Sequence, residues 1–289
     1  MNEALIDRER ERFHRRLIET GLLVLDEDVA SNADKDSRSS KEIGYRLALI
    51  LDVPQGKKLK GQTAGAVFEQ EVADYVSRTF REFQHLRPGT WDVRSLGNRG
   101  HKTAEGFAQY EHLSHLADMM QRDPELKMSL GNDYVVSPDV VVSRGLLFDE
   151  DINAGREFIS DKSSLKADLR MSNDGKPILH ASISAKWTIR SDRAQNSRTE
   201  ALNLIRNRKG HLPHIVVVTA EPLPSRLASL AMGTGDIDCV YHVALYELLK
   251  AIEAYSATKG VDDSLDEVYS LVIGKRLKDI SDLPLDLCV

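Results

Sequence analysis

Apolar and polar positions change period along this chain, and the changes mark its elements. Between residues 3 and 25, Leu5, Ile6, Phe13, Leu17, Ile18, Leu22 and Leu23 recur at broadly helical spacing, which predicts a helix with one apolar stripe. Residues 26–41 are polar and rich in turn formers, so an exposed loop is expected there. Over residues 65–85, Phe68, Val72, Tyr75, Val76, Phe80 and Phe83 share one face of a long amphipathic helix, with Glu69 at its margin. The period then shortens. Tyr134-Val135-Val136, followed after Ser137-Pro138 by Asp139-Val140-Val141-Val142, reads as a buried strand with a bend at the proline. Residues 178–189 alternate: Ala181, Ile183, Ala185, Trp187 and Ile189 face one way, and Ser182, Ser184, Lys186 and Thr188 the other. A helix is expected over 197–208. The very apolar run 214–220 has the pattern of a strand covered on both faces. A further strand is expected at 237–243 and a helix at 244–257. Helices, two strands around an insertion, then alternating helix and strand define an α/β fold. Its mixed central sheet is flanked by helices, in one domain over residues 1–289, with no repeat or long linker.

Composition narrows the class of function. No apolar run reaches the roughly 18 residues of a membrane span, and the first residues are too charged for a signal peptide. Cys239 and Cys288 form no disulfide framework or metal pattern, which points to a reducing cytoplasm. The net charge of −6 argues superficially against a nucleic-acid partner. A polyanion, however, responds to the local field of the surface it meets. Lys186, Arg190, Arg193, Arg198, Arg206, Arg208 and Lys209 crowd one segment, against Asp192 and Glu200. Lys57, Lys58 and Lys60 precede the long helix. By charge alone, these runs are equally solvated helix faces.

Individual residues bring candidate chemistry. Lys186 shares a strand face with Ser184, and that face is open either to solvent or to a substrate. Asp139, at the head of a valine-rich strand, either caps a turn or holds a cation. Together, Pro138-Asp139 and Ser184-Ala185-Lys186 match the loose pattern Pro-Asp…(Asp/Glu/Ser)-X-Lys. Neighbouring strands can bring such a carboxylate and amine to one edge. Phosphodiester cleavage needs carboxylate oxygens for Mg²⁺, a Lewis acid for the developing charge and a group that positions water. Ser184 stands where a second acidic residue is usual. Glu200, on the following helix, and Glu69, on the long helix, could supply carboxylates, and each alone also fits a surface salt bridge.

Arg190-Ser191-Asp192-Arg193 follows the Lys186 strand directly. Arginine can pair with guanine O6 and N7 through two parallel hydrogen bonds, and a carboxylate can accept from cytosine N4. The cluster can therefore read G·C pairs, or it can be a local salt-bridge set.

Pro138-Asp139, Ser184-Ala185-Lys186, Arg190-Ser191-Asp192-Arg193 and Glu200 together resemble the active site and recognition element of the CCGG family of type II restriction endonucleases. The stretch from His180 to Arg226, the segments 31–34, 61–69 and 87–89, and the tail after Gly274 extend the resemblance over most of the chain. It implies a restriction-endonuclease-like core of the PD-(D/E)XK type and a cytoplasmic, prokaryotic enzyme. The implied assembly is a homotetramer of two back-to-back dimers, each embracing a palindrome in double-stranded DNA. The implied site is GCCGGC, cut to leave 5′ overhangs, with two Mg²⁺ per active site. By position, Asp139, Glu200 and the Ala185 carbonyl would bind metal, and Lys186 would orient the attacking water. Glu200 would replace the acidic group missing at Ser184, with Glu69 supporting the metal site. Arg190, Asp192 and Arg193 would read the inner CCGG. Asp34 and Arg226 would read the outer G·C pair, and Gln62 would approach from the minor groove. Ser37 is a further candidate for the outer pair. No function is read from 145–177.

Two other readings remain in view. A repair or junction-resolving nuclease on the same core would not need an Arg-Asp-Arg cluster beside its active site. A DNA-binding protein that has lost cleavage should show damage at Asp139, Lys186 or Glu200, and all three are present. His112 and His115 lack partners for a zinc set, and Gly233-Thr234-Gly235 reads as a turn and not a nucleotide loop.

Overall fold

The computed structural model describes residues 3–97, 104–123, 125, 128, 138–189, 191–259 and 264–289. Among them a six-stranded mixed sheet runs in the order β3-β4-β5-β6-β7-β8, and helices cover it. Its strands are β3 (Trp91–Ser95), β4 (Val140–Arg144), β5 (Ile178–Lys186), β6 (His214–Thr219), β7 (Cys239–His242) and β8 (Leu277–Asp279). A separate two-stranded ribbon pairs β1 (Leu25–Asp26) with β2 (Val29–Ala30). β3, β4 and β5 pair antiparallel, while β5 through β8 pair parallel. This is the α/β architecture expected from the sequence, and it is a restriction-endonuclease-like fold. The first half of the strand expected around Tyr134 lies outside the described residues; the second half is β4.

The central strands are hydrophobic because both faces are covered. Val140, Val141 and Val142 are fully buried, as are Ala181, Ile183 and Val218. On one side lie α1 (Leu5–Glu19) and α3 (Gly61–Phe80). Phe13 of α1 meets Tyr75 of α3 with ring centroids 5.1 Å apart. Phe68 and Phe80 of α3 then set their edges against Trp187 and Trp91 at 5.2 and 5.1 Å. Such tilted ring pairs fix the helix along and around its axis beyond the effect of buried area alone. Elsewhere α2 (Arg38–Ile50) packs against the helix Leu245–Lys259, where Ser39 and Tyr255 hydroxyls lie 2.8 Å apart.

The structure moves several expected boundaries. The first helix stops at Glu19 because Thr20 Oγ1 donates back to the Arg16 carbonyl and Gly21 turns to φ +71°. The long helix starts at Gly61, earlier than the apolar stripe reveals. The strand 178–189 ends at Lys186; α4 (His112–Arg122) comes before it, and α5 (Ser191–Asn207) follows it, beginning six residues sooner than residue 197. The segment 26–41 is exposed only in part, at residues 26–28, 35, 36 and 38. Ala30, Ser31, Asn32 and Ala33 are buried. Their polar groups find backbone partners: Ser31 Oγ donates to the Leu22 carbonyl at 2.6 Å, and Asn32 Nδ2 to the Ala220 carbonyl at 2.7 Å. Ser37 serves as the N-cap of α2, accepting from the Ser40 amide.

Candidate active site

The parallel strands β5 and β6 end side by side, with Lys186 registered against Thr219. Beyond the carboxyl ends of such strands, a sheet leaves a crevice that ligands can enter. Here that crevice is a cleft of about 510 Å³ lined by Glu69, Ala185, Lys186, Trp187, Thr188, Asn196 and Glu200. The start of α3 adds Gly61, Ala64 and Gly65, and Lys58 stands before it on the wall.

Sheet register brings Asp139 to this end. Val140 pairs with Ile183, so the residue before Val140 reaches the level of Ser184. Asp139 Oδ2 accepts from Lys186 Nζ at 2.8 Å and from the Ala185 amide at 2.8 Å, with Ser184 Oγ at 3.5 Å. Ser184 Oγ also lies 3.3 Å from Ser197 Oγ on α5. Glu200, one turn further along that helix, has its carboxylate 4.0 Å from Lys186 Nζ. The helix thus carries an acidic group back to the strand position that lacks one. From Ile183 to Ile189 burial alternates, with Ser184, Lys186 and Thr188 as the more open residues, so the open side of β5 is the side that carries the chemistry.

Charges in the cleft act on one another. Burial, and then repulsion from Asp139, push Glu69 up to about 7 against the pull of Lys186. Burial also raises Glu200. Burial works against the Lys186 ammonium, but Asp139 and Glu200 more than compensate and hold its pKa above the usual lysine value. The two carboxylates thus favour the protonated form of Lys186. Among the described residues, no three His, Cys, Asp or Glu side chains converge on a single metal position, and this includes His112.

Other expected residues fall into two groups. Asp34 and Arg226 meet: Arg226 Nη2 donates to Asp34 Oδ2 in an ion pair at the far side of the β6 end. Arg226 lies near the start of α6 (Pro224–Ala231). Gln62 is exposed on the first turn of α3. Arg190 lies outside the described residues; Asp192 and Arg193 belong to the first turn of α5, and their side chains are outside the description. Their place in a helix, and not in a loop, is a finding of the structure. Sequence reasoning passed over Asn196, Ser197 and Glu221. Helical spacing back from Glu200 could have found the first two. Lys58 had been noted only as part of a basic run.

A mixed sheet that gathers Pro-Asp and Ser-X-Lys at one strand end, with a glutamate returned from the next helix, has the build of a restriction endonuclease. A family model described as NgoMIV restriction enzyme matches residues 13–289, and the chain belongs to that family. It is 48% identical to the type II restriction enzyme NgoMIV of Neisseria gonorrhoeae over 287 residues, 99% of each chain. The protein is a type II site-specific deoxyribonuclease.

Proposed function

We propose that this enzyme hydrolyses both strands of double-stranded DNA at the palindrome GCCGGC, leaves 5′ overhangs and uses two Mg²⁺ per active site. One observation carries the catalytic half: Lys186 Nζ sits 2.8 Å from Asp139 Oδ2 at the mouth of a cleft shared with Glu69 and Glu200. The recognition half rests on the resemblance of Arg190, Asp192 and Arg193 to the readers of CCGG and on the pairing of Asp34 with Arg226.

The residues present fit Mg²⁺. Crowding of Asp139, Glu69 and Glu200 in one cleft leaves negative charge that Lys186 alone does not balance, and this helps to lift Glu69 to about 7. Mg²⁺ is commonly held by one or two carboxylates, with waters and substrate phosphate completing its shell, and Asp139 and Glu200 on either side of Lys186 supply such carboxylates. Asp139, Glu200 and the Ala185 carbonyl would hold the metal, with Glu69 supporting the site from α3. When bound, Mg²⁺ supplies Lewis-acid stabilisation of the charge that develops on phosphate and leaving oxygen.

The chain's own groups do the rest. Lys186, kept protonated by its carboxylates, donates to the attacking water or a phosphate oxygen and so fixes the line of attack. Asp139 holds Lys186 and the Ala185 amide at once, which sets the position of the Ala185 backbone. Ser184 reaches Asp139 on one side and Ser197 on the other, linking strand and helix. A palindrome demands two such edges, and the proposed assembly is a homotetramer of two dimers, each chain a single domain working in a prokaryotic cytoplasm.

Digestion of DNA of known sequence with Mg²⁺, followed by end mapping, tests activity, site and cut position together. Discrete cuts at GCCGGC with 5′ extensions are expected, and Lys186→Ala should abolish them while specific binding persists. Cuts at another palindrome would refute the site, and full activity of the Lys186 variant would refute the active-site assignment.

A further inference from the structure

Glu221 lies just beyond β6, fully buried, and no step of the proposed cleavage uses it. One of its oxygens, Oε2, accepts from the Ile189 amide at 2.8 Å and lies 3.7 Å from Arg226 Nη1. The other, Oε1, accepts from the Leu223 amide at 3.2 Å. Ile189 is the residue immediately before Arg190. Arg226, on its other side, is paired with Asp34. The loop that carries Asp34 is itself seated on this strand end by Asn32, which donates to the carbonyl next to Glu221.

One buried carboxylate thus touches the backbone entering the 190–193 segment and the guanidinium of the outer-pair candidate. Each oxygen meets its own amide donor, which a neutral amide side chain with one oxygen cannot match, and burying the ionised form is unfavourable unless it is also paired. The negative charge is useful towards Arg226, whose guanidinium has five donors and keeps some available while two carboxylates orient it.

We propose that Glu221 is a positioning residue that couples the two halves of sequence reading, holding Arg226 for the outer base pair and Ile189 for the inner ones. This rests on the reading of Asp34 and Arg226 as outer-pair contacts.

The test uses full-length protein with Mg²⁺ at a pH above the value of about 7 to which burial raises Glu221, where its carboxylate is ionised, and three duplexes: GCCGGC, the outer-substituted ACCGGT and the inner-substituted GCATGC. Single-turnover cleavage rates are measured for the wild type, Arg226→Ala, Glu221→Gln and Glu221→Ala. Arg226→Ala should relax discrimination at the outer pair only. Glu221→Gln keeps one acceptor, which can serve Ile189, gives up the second acceptor at Leu223 and loses the charge facing Arg226. It should lose about tenfold of outer-pair discrimination, in the range of coupling between contacting groups, with inner discrimination retained. Glu221→Ala should lose both; if it fails to fold, the glutamine variant decides alone. Variants that slow all three duplexes by one common factor, or that keep wild-type discrimination, would overturn the role of Glu221. A wild type that cuts GCCGGC and ACCGGT equally would instead remove the outer-pair reading on which the proposal stands.

Discussion

At the scale of single residues, a charged group at a strand end can mark a site or a joint, and its access to a cleft decides which. Lys186 and Glu221 are both charged groups at the ends of central strands, yet Lys186 opens onto a cleft and Glu221 onto none that is described. Burial pushes Glu221 up to about 7 despite the amides of Ile189 and Leu223 and the nearby Arg226. In the unfolded chain it titrates near 4.5. Between these values the folded state holds a proton that the unfolded state has released. The contribution to stability is therefore full below 4.5 and is lost as pH rises through about 7. Glu221→Gln removes that dependence. The stability of the wild type relative to this variant, from denaturant melts at several pH values, should fall on the order of 3 kcal/mol across that window. A difference that stays flat with pH would show that Glu221 is not held in this way. Nothing in the sequence announced this residue. A lone glutamate after an apolar strand looks like the polar end of that strand, and Ile189, whose amide it accepts from, lies 32 residues away along the chain.

Elements were legible where their own side chains set the period. The open face of β5 showed in the alternation of Ser184 and Lys186, and the apolar face of α3 in Phe68, Val72 and Phe80. Legibility failed where polar residues are buried on backbone partners, as at Ser31 and Asn32, because polarity there looks like exposure. It failed again at the start of α5, whose first turn is charged and carries no apolar stripe. The first helix shows a further case: its polar face hides a buried ionic contact. Arg10 Nε donates to Asp279 at the end of β8, and its other nitrogens form two bonds to Glu247 of α7 (Leu245–Lys259). Burial raises Asp279, but Arg10 overcomes this and holds the carboxylate below its usual range. The Asp279 side chain is wholly buried. Arg10→Ala would remove the cationic partner of Asp279 and leave it the Leu245 amide and Ser281 alone, and breaking such a buried pair costs about 3–5 kcal/mol. The melting temperature should drop accordingly, while the preference among DNA sites stays that of the wild type. An Arg10→Ala protein as stable as the parent would show that the helix is held by its apolar stripe alone.

For the whole molecule, the decisive fact is that the described residues gather the candidate groups at one strand end. Lys186, Glu200 and Glu69 line one cleft and Asp139 is bonded to Lys186 beside it, whereas on the proposed reading the enzyme must break two strands related by a dyad. On the proposed reading each protomer cuts one strand, and two-fold symmetry supplies the second edge. This yields a prediction that does not depend on counting subunits. Lys186→Ala should remove cleavage from its own protomer while leaving the 190–193 segment and the Asp34–Arg226 pair intact. Co-expressing differently tagged chains with wild type in small minority over Lys186→Ala, then selecting species with both tags, gives assemblies that hold one wild-type chain, whose partner on a palindrome is then a variant chain. If two chains share one palindrome, these should convert supercoiled single-site plasmid mainly to the nicked circle, since only one strand meets an intact edge. Plasmid cut directly to the linear form at the wild-type rate would mean that one chain breaks both strands in turn. That outcome would require the cleft around Lys186 to act on both strands, and it would remove the symmetric assembly from the proposal.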